Sequence, residues 1–313
     1  MKKVILGIVC VIILGIVGGY IALMPQYTKA DTIYLNANDE VSFKNFKKLA
    51  KALNREGYRT VISGKNKFKS GLFNLYAANN NQLGDLPDVV DSKGINLLWL
   101  PTVAENEPEP LRMYDVIVVK SFSSYSHLKA VNMRTAYIPE AIDIDKHKAD
   151  EPNGKVMYYG DKTDFSLSLY LTDITHLKAD IFGKGYKHSM QNVIKEAPRS
   201  GDFRAYSLVL VDQSDEEIAS EQINSRILGV LTAGGLPYVR YNEGIAKIFG
   251  NTLPMYANEH EFLPKAQIFL KNSTLVKERR AALYDAAQRW NTQSQAQKIA
   301  ELFEIMKKKM RHH

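Results

Sequence analysis

Four stretches of this 313-residue chain set glycine beside charge in a manner suited to an anion. In "YYGDK", Gly160 precedes Asp161 and Lys162; in "FGKGY", Lys184 stands between Gly183 and Gly185. Arg226 opens "NSRILGVLTAGG", which closes on Gly234 and Gly235, and Gly244 follows Glu243 in "YNEGIAKIFG". Glycine lets backbone N–H groups come close to a phosphate, and a helix N-terminus adds partial positive charge there. A nearby cation would neutralise charge on a departing group. Each feature also has a plainer reading: a surface lysine in a tight turn, a salt-bridged arginine, or glycine closing the C-terminus of a helix. For proton transfer the candidates are His127, in "SFSSYSHLKA", and Glu243. His127, His147, His176 and His188 are scattered without metal-ligand spacing, so neither a metal nor a cofactor is expected. Asp143 and Asp145 suit turn chemistry better than catalysis.

These residues must be held by elements that alternate along the chain. "TIYLNA" is β-rich, and in "SFKNFKKLAKALNREGY" the residues Phe43, Phe46, Leu49, Ala50 and Leu53 recur at helical spacing up to a stop at Gly57. "RTVIS", "INLLWLP", "YDVIVVKS" and "TAYIPEA" follow as strands, the middle two built on continuous apolar runs, as in a parallel sheet covered on both faces. The polar stretch "IDIDKHKADEPNGK" breaks the rhythm, which restarts with "KVMYYGD", "FSLSLYLTDI", "ADIFGKGY" and "YSLVLVD". Next come "EEIASEQINSRILGVLTAGG", read as one helix, and "LPYVRYN", a strand. The expected fold is α/β: two Rossmann-like domains, 31–150 and 151–275, facing across a ligand cleft, then a helical tail over 276–313. Trp99 and Trp290 read as packing residues.

Residues 1–30 read differently. After Lys2 and Lys3, no charge occurs from Val4 to Thr28, long enough to cross ~30 Å of hydrocarbon. This predicts one uncleaved transmembrane anchor; a cleaved signal peptide would have a shorter apolar run and a better small-x-small site. Lys2 and Lys3 place the tail in the cytoplasm and the body outside it, periplasmic or lumenal, although Lys44, Lys47, Lys48, Lys51 and Arg55 pull toward a cytoplasmic body. Cys10 is the sole cysteine, so the body has no disulfide. The net charge of +7 is scattered apart from Lys307–Lys309 and reads first as a solvated surface, with no nucleic-acid partner expected; a peripheral membrane-surface factor using the basic tail from Lys307 to Arg311 is a third reading of the chain.

"NSRILGVLTAGGLPYVRYNEGIAKIFG" resembles the C-terminal domain of GT-B-fold glycosyltransferases, particularly the spore-maturation CgeB-like group. Asn224, Arg226, Ala233, Gly234 and Gly235 keep the frame of that group's donor-site helix, and Gly244, Ile245, Ile248 and Phe249 keep its following turn. "VMYYGD", "ADIFGKGY" and "TAYIPEAID" resemble further family segments, so that the similarity runs from about Tyr137 to Ile305. The resemblance implies a metal-free transfer of sugar from a nucleotide-sugar or other diphosphate-activated donor to a glycan. Gly160, Lys162, Lys184, Arg226, Gly234, Gly235 and Gly244 would hold the donor, and the first domain the acceptor. Two departures stand out. Gly229 occupies the place of one family glutamate, and Ala246 and Lys247 that of the other; Glu243 lies nearby but precedes the glycine. Each charged hydrogen bond so lost weakens donor binding by about 1.5–3 kcal/mol. A catalytically inactive glycan-binding or scaffold protein on the same fold is therefore the alternative.

Overall fold

The computed structural model describes residues 31–64, 67–78, 93–103, 109–144, 151–160, 176–183, 193–194 and 198–311. The anchor expected over 1–30 lies outside these residues. Among the described ones, no helix is long and apolar enough to cross a membrane.

Two six-stranded sheets organise the chain. In the first lobe β1 (Thr32–Ala37), β2 (Arg59–Gly64), β3 (Phe73–Ala77), β4 (Ile95–Leu100), β5 (Val116–Val119) and β6 (Thr135–Tyr137) take the order β2-β1-β3-β4-β5-β6. In the second lobe are β7 (Val156–Tyr159), β8 (Asp180–Phe182), β9 (Val193–Ile194), β10 (Leu208–Val211), β11 (Pro237–Arg240) and β12 (Met255–Tyr256). Their order is β12-β11-β10-β7-β8-β9. Every pair is parallel. Strand order reverses between β1 and β3 and again between β7 and β10. In open parallel sheets, ligands collect at the carboxyl ends of strands beside such reversals.

The runs "INLLWL", "VIVV" and "LVLV" form β4, β5 and β10, buried on both faces. Sequence patterning missed β3, whose second residue is the polar Asn74. This side chain is fully buried because its amide donates to Gly71 O (2.8 Å) and Asn96 Oδ1 (3.1 Å). A buried amide satisfied in this way carries little penalty.

Numbering the described helices in chain order, α1 (Glu40–Arg55) and α2 (Phe122–Ala130) belong to the first lobe. The second lobe holds α3 (Ser200–Ala205), α4 (Asp215–Ala219), α5 (Ser225–Thr232), α6 (Glu243–Phe249), α7 (Glu259–Leu270) and α8 (Ser273–Gln288). The single helix read over 216–235 is thus two. Between them Glu221 sits at φ 54°, a left-handed conformation that ends α4.

The C-terminal segment divides between the lobes. Val276, Leu283 and Ala287 of α8 join the core of the second lobe. α9 (Thr292–Met310) crosses back, placing Ala296, Ile299, Ala300, Phe303 and Met306 in the core of the first. Phe303 stacks on Phe73 at 4.8 Å, and the Tyr58 hydroxyl donates to Glu304 Oε1 at 2.8 Å. Burying Ile299 and Phe303 stabilises the first lobe by about 1.5–3 kcal/mol each.

Candidate active site

At the carboxyl end of β7, Gly160 marks the reversal point of the second sheet. A Cβ there would lie 2.4 Å from the Tyr158 hydroxyl and 3.1 Å from Arg226 Nη1. Glycine therefore lets the Arg226 guanidinium lie against the strand end. Arg226 belongs to the first turn of α5, whose start is fixed by Asn224. Its Oδ1 accepts from Ile227 N–H (2.8 Å), while its amide donates to Asp212 O and Glu217 Oε2 (3.2 Å each). Asp212 and Gln213, both buried, end β10 beside it. A cation, a helix N-terminus and the carboxyl ends of β7 and β10 thus converge where an anion would be favoured.

Other expected donor residues have different work. The N–H groups of Gly234 and Gly235 donate to Leu231 O and Val230 O, both at 2.9 Å. With Gly234 at φ 76°, this is the glycine termination of α5. Those amides are occupied at the opposite end of the helix from Arg226, so the reading of Gly234 and Gly235 as phosphate-facing amides is corrected. Gly244 is corrected likewise: a Cβ on it would stand 1.9 Å from Glu221 O, so its glycine serves close packing of α6 on the Glu221 turn. The Gly160 N–H donates to Phe182 O at 3.1 Å, leaving close approach as the contribution of that glycine. Lys162 and Lys184 lie outside the described residues.

His127 sits in the last turn of α2, about 9 Å along the axis from the helix start that meets the second lobe. Glu243 accepts from the Tyr241 hydroxyl (2.5 Å) and pairs with Lys247 (2.9 Å); these contacts hold its carboxyl below the usual range. Among the described residues, no group of three or more His, Cys, Asp or Glu could share a metal ion.

The lobes meet through Ser121, Phe122 and Tyr137, which sequence reasoning passed over, and through Lys247 and Trp290, which it named. Ser121, the N-cap of α2, donates from Oγ to Ser220 O at 2.5 Å. Lys247, where the family pattern has an acid, lies 3.5 Å over the Phe122 ring of the first lobe. Phe122 packs edge-on to Tyr137 (5.4 Å), and Tyr137 lies 6.3 Å from Trp290 at the α8–α9 junction. Next to Ser220, Glu221 keeps Oε2 buried with no hydrogen-bond partner among the described residues. Burial pushes its carboxyl above the ordinary range; Lys247 opposes the shift and Glu243 adds to it. Burial, with the Glu221 charge, raises Tyr137 as well.

The first lobe contains a cavity of about 70 Å³ that opens to solvent. It lies between α1, the carboxyl ends of β3 to β5, and the start of α9. Lys120 and Glu140 pair in its wall at 2.5 Å, and Lys120 lies 5.5 Å from the Trp99 ring. Trp99 is 7 % exposed, and its buried indole N–H has no acceptor among the described residues.

Two parallel-sheet lobes, a carboxyl-edge cavity in one and a cation-bearing reversal point in the other, crossed by a returning terminal helix, define the architecture. The fold is GT-B-like. It superposes on a glycosyltransferase from Rickettsia africae with a TM-score of 0.60 at 10% identity, covering 88% of this chain and 98% of that one. A sucrose-phosphate synthase from Thermosynechococcus elongatus gives 0.55 at 10% identity, covering 88% and 99%. TarM of S. aureus, a mutant solved with fondaparinux, alpha-GlcNAc-glycerol and UDP, gives 0.53 at 11% identity over 74% of this chain. The chain spans 55% of TarM's length. No family model matches the sequence, and no curated protein does. At such identities the GT-B-like likeness is one of fold, and what this chain does must be argued from its own residues.

Proposed function

We propose that the protein is a membrane-anchored glycosyltransferase, of the CgeB-like kind its sequence resembles, that moves sugar from a diphosphate-activated donor to a glycan. The observation that carries this reading is the Arg226 guanidinium beside Gly160 at the reversal point of the second sheet. There Arg226 would neutralise charge gathering on the departing diphosphate, a contribution that grows from ground state to transition state. Asn224 holds the first turn of α5 and with it the arginine. Lys162 and Lys184 remain candidates for the same diphosphate. The cavity beside Trp99 and Lys120 is the proposed acceptor site, with the free indole N–H offered to a hydroxyl or carboxylate oxygen. UDP in TarM, a protein of the same fold, is consistent with a nucleoside diphosphate leaving group. The anchor over residues 1–30, an extracytoplasmic body and independence from metal belong to this proposal.

One observation favours the rival, a non-catalytic glycan-binding protein. Gly229 faces open space, with nothing within 4 Å of a Cβ placed on it, so the family's carboxylate is missing where there is room for one. Release of nucleoside diphosphate from a panel of nucleotide-sugars and lipid-linked sugars, each with and without candidate glycans, separates the two. Acceptor-dependent release supports the transferase. Glycan binding with no turnover and no nucleotide binding supports the rival.

A further inference from the structure

We infer that the end of the first lobe opposite the cleft is a docking surface for anionic lipid headgroups. The inference rests on the proposed anchor, and its evidence is the folded body itself. Asp31, the first described residue, pairs with Lys307 of α9, which ties the end of the C-terminal helix to the point where the N-terminal segment joins. β2 begins beside the same point, with Arg59 in register with Thr32.

Around that junction, cations are exposed and acids are engaged. Lys308, Lys309, Arg311 and Arg59 are exposed. Asp31 is taken by Lys307 and Glu304 by the Tyr58 hydroxyl; Glu301, one turn back, is the exposed acid on this part of α9. Ile305 and Met310 add apolar side chains 50% and 48% exposed among the cations. A basic surface carrying a few exposed apolar groups is what a headgroup layer accepts.

Geometry supplies the partner. The uncharged stretch ends at Thr28, and three residues span at most about 10 Å. Lys307, tied to residue 31, is then held within about 10 Å of a bilayer crossed by that stretch, comparable with the ~8 Å screening length at physiological salt, and Lys308, Lys309 and Arg311 follow it at the end of the same helix. The cleft lies at the other ends of strands about 20 Å long, so docking here would hold the substrate edge clear of the membrane.

The test uses the full chain with Met310→Cys in a Cys10→Ser background, labelled with a polarity-sensitive dye. It is mixed with vesicles of phosphatidylcholine alone or with phosphatidylglycerol added. The inference expects a blue shift with phosphatidylglycerol only, lost at about 1 M salt, where the screening length is ~3 Å. The Lys308→Gln/Lys309→Gln/Arg311→Gln variant should lose it too, since three such contacts together change surface occupancy about a hundred-fold. An equal response in both vesicles, or an unchanged response in the triple variant, overturns the inference. Flotation after a high-salt wash reports the anchor separately. A chain that floats but shows no dye response is anchored without docking. A chain that binds only phosphatidylglycerol vesicles, reversibly with salt, docks without an anchor.

Discussion

Two glycines in the second lobe are set to respond to the same substitution with opposite sign. At Gly244 an added methyl would stand 1.9 Å from Glu221 O and 2.8 Å from the carbonyl carbon, both backbone atoms. Reaching ordinary contact beyond 3.4 Å requires the Glu221 turn, already left-handed, and the start of α6 to part by about 1.5 Å. Overpacking of that kind costs about 1–3 kcal/mol, and alanine's better helix propensity returns less than 1 kcal/mol. At Gly229, within α5, the methyl meets nothing within 4 Å, so propensity acts alone and stabilises by about 0.5–1 kcal/mol. Thermal unfolding of the detergent-solubilised chain, followed by circular dichroism, should show the second-lobe transition about 2–10 °C lower in Gly244→Ala and about 1–4 °C higher in Gly229→Ala. A neutral Gly244→Ala would refute the packing of α6 on the Glu221 turn, and a destabilising Gly229→Ala would refute the open face of α5.

Phe303→Ala should cost about 3–5 kcal/mol and lower the unfolding transition of the first lobe rather than the second, as hydrogen exchange resolved by segment would report. Asn224→Ala removes the cap of α5 and should cost about 1–2 kcal/mol by chemical denaturation; it should also weaken nucleotide binding, because Arg226 rides on that turn. Glu221 binds its proton at higher pH when folded than when unfolded, so its share of stability is greatest at low pH and falls as pH rises through the raised folded value. Comparing pH–stability profiles, Glu221→Gln should flatten that decline, and a profile identical to wild type would mean that Glu221 is not buried against Lys247, Glu243 and Tyr137.

Much of the fold was legible because β5 and β10 are wholly apolar and β4 continues past Asn96 in four apolar residues, so none of them can face water on either side. β3 was not, since only three residues, Leu75 to Ala77, follow Asn74, and its partners Gly71 and Asn96 explain the burial of that amide. The break at Glu221 was hidden too: nothing in "EEIASEQINSRI" ends a helix, and the left-handed turn is packed against Gly244, 23 positions later. Of the site, Gly160 and Arg226 each stood out in the sequence, whereas their close approach at the end of β7 comes from the fold. Gly234 and Gly235 fit two roles equally in sequence, and their hydrogen bonds decide for helix termination. Lys120 and Ser121 occupied a telling position, directly after the run "VIVV". Their partners Glu140 and Ser220 lie far along the chain, where local pattern is silent.

The account depends on Arg226 and the carboxyl edge of the second sheet gripping a diphosphate. Isothermal titration of the full chain with UDP and with GDP, in wild type and Arg226→Ala, tests this most directly. The account predicts micromolar binding of at least one of them, weakened about 10- to 100-fold by the substitution, as expected for one charged hydrogen-bonding partner removed. Equal affinity in the two proteins, or no binding of either nucleotide to the wild type, would contradict it.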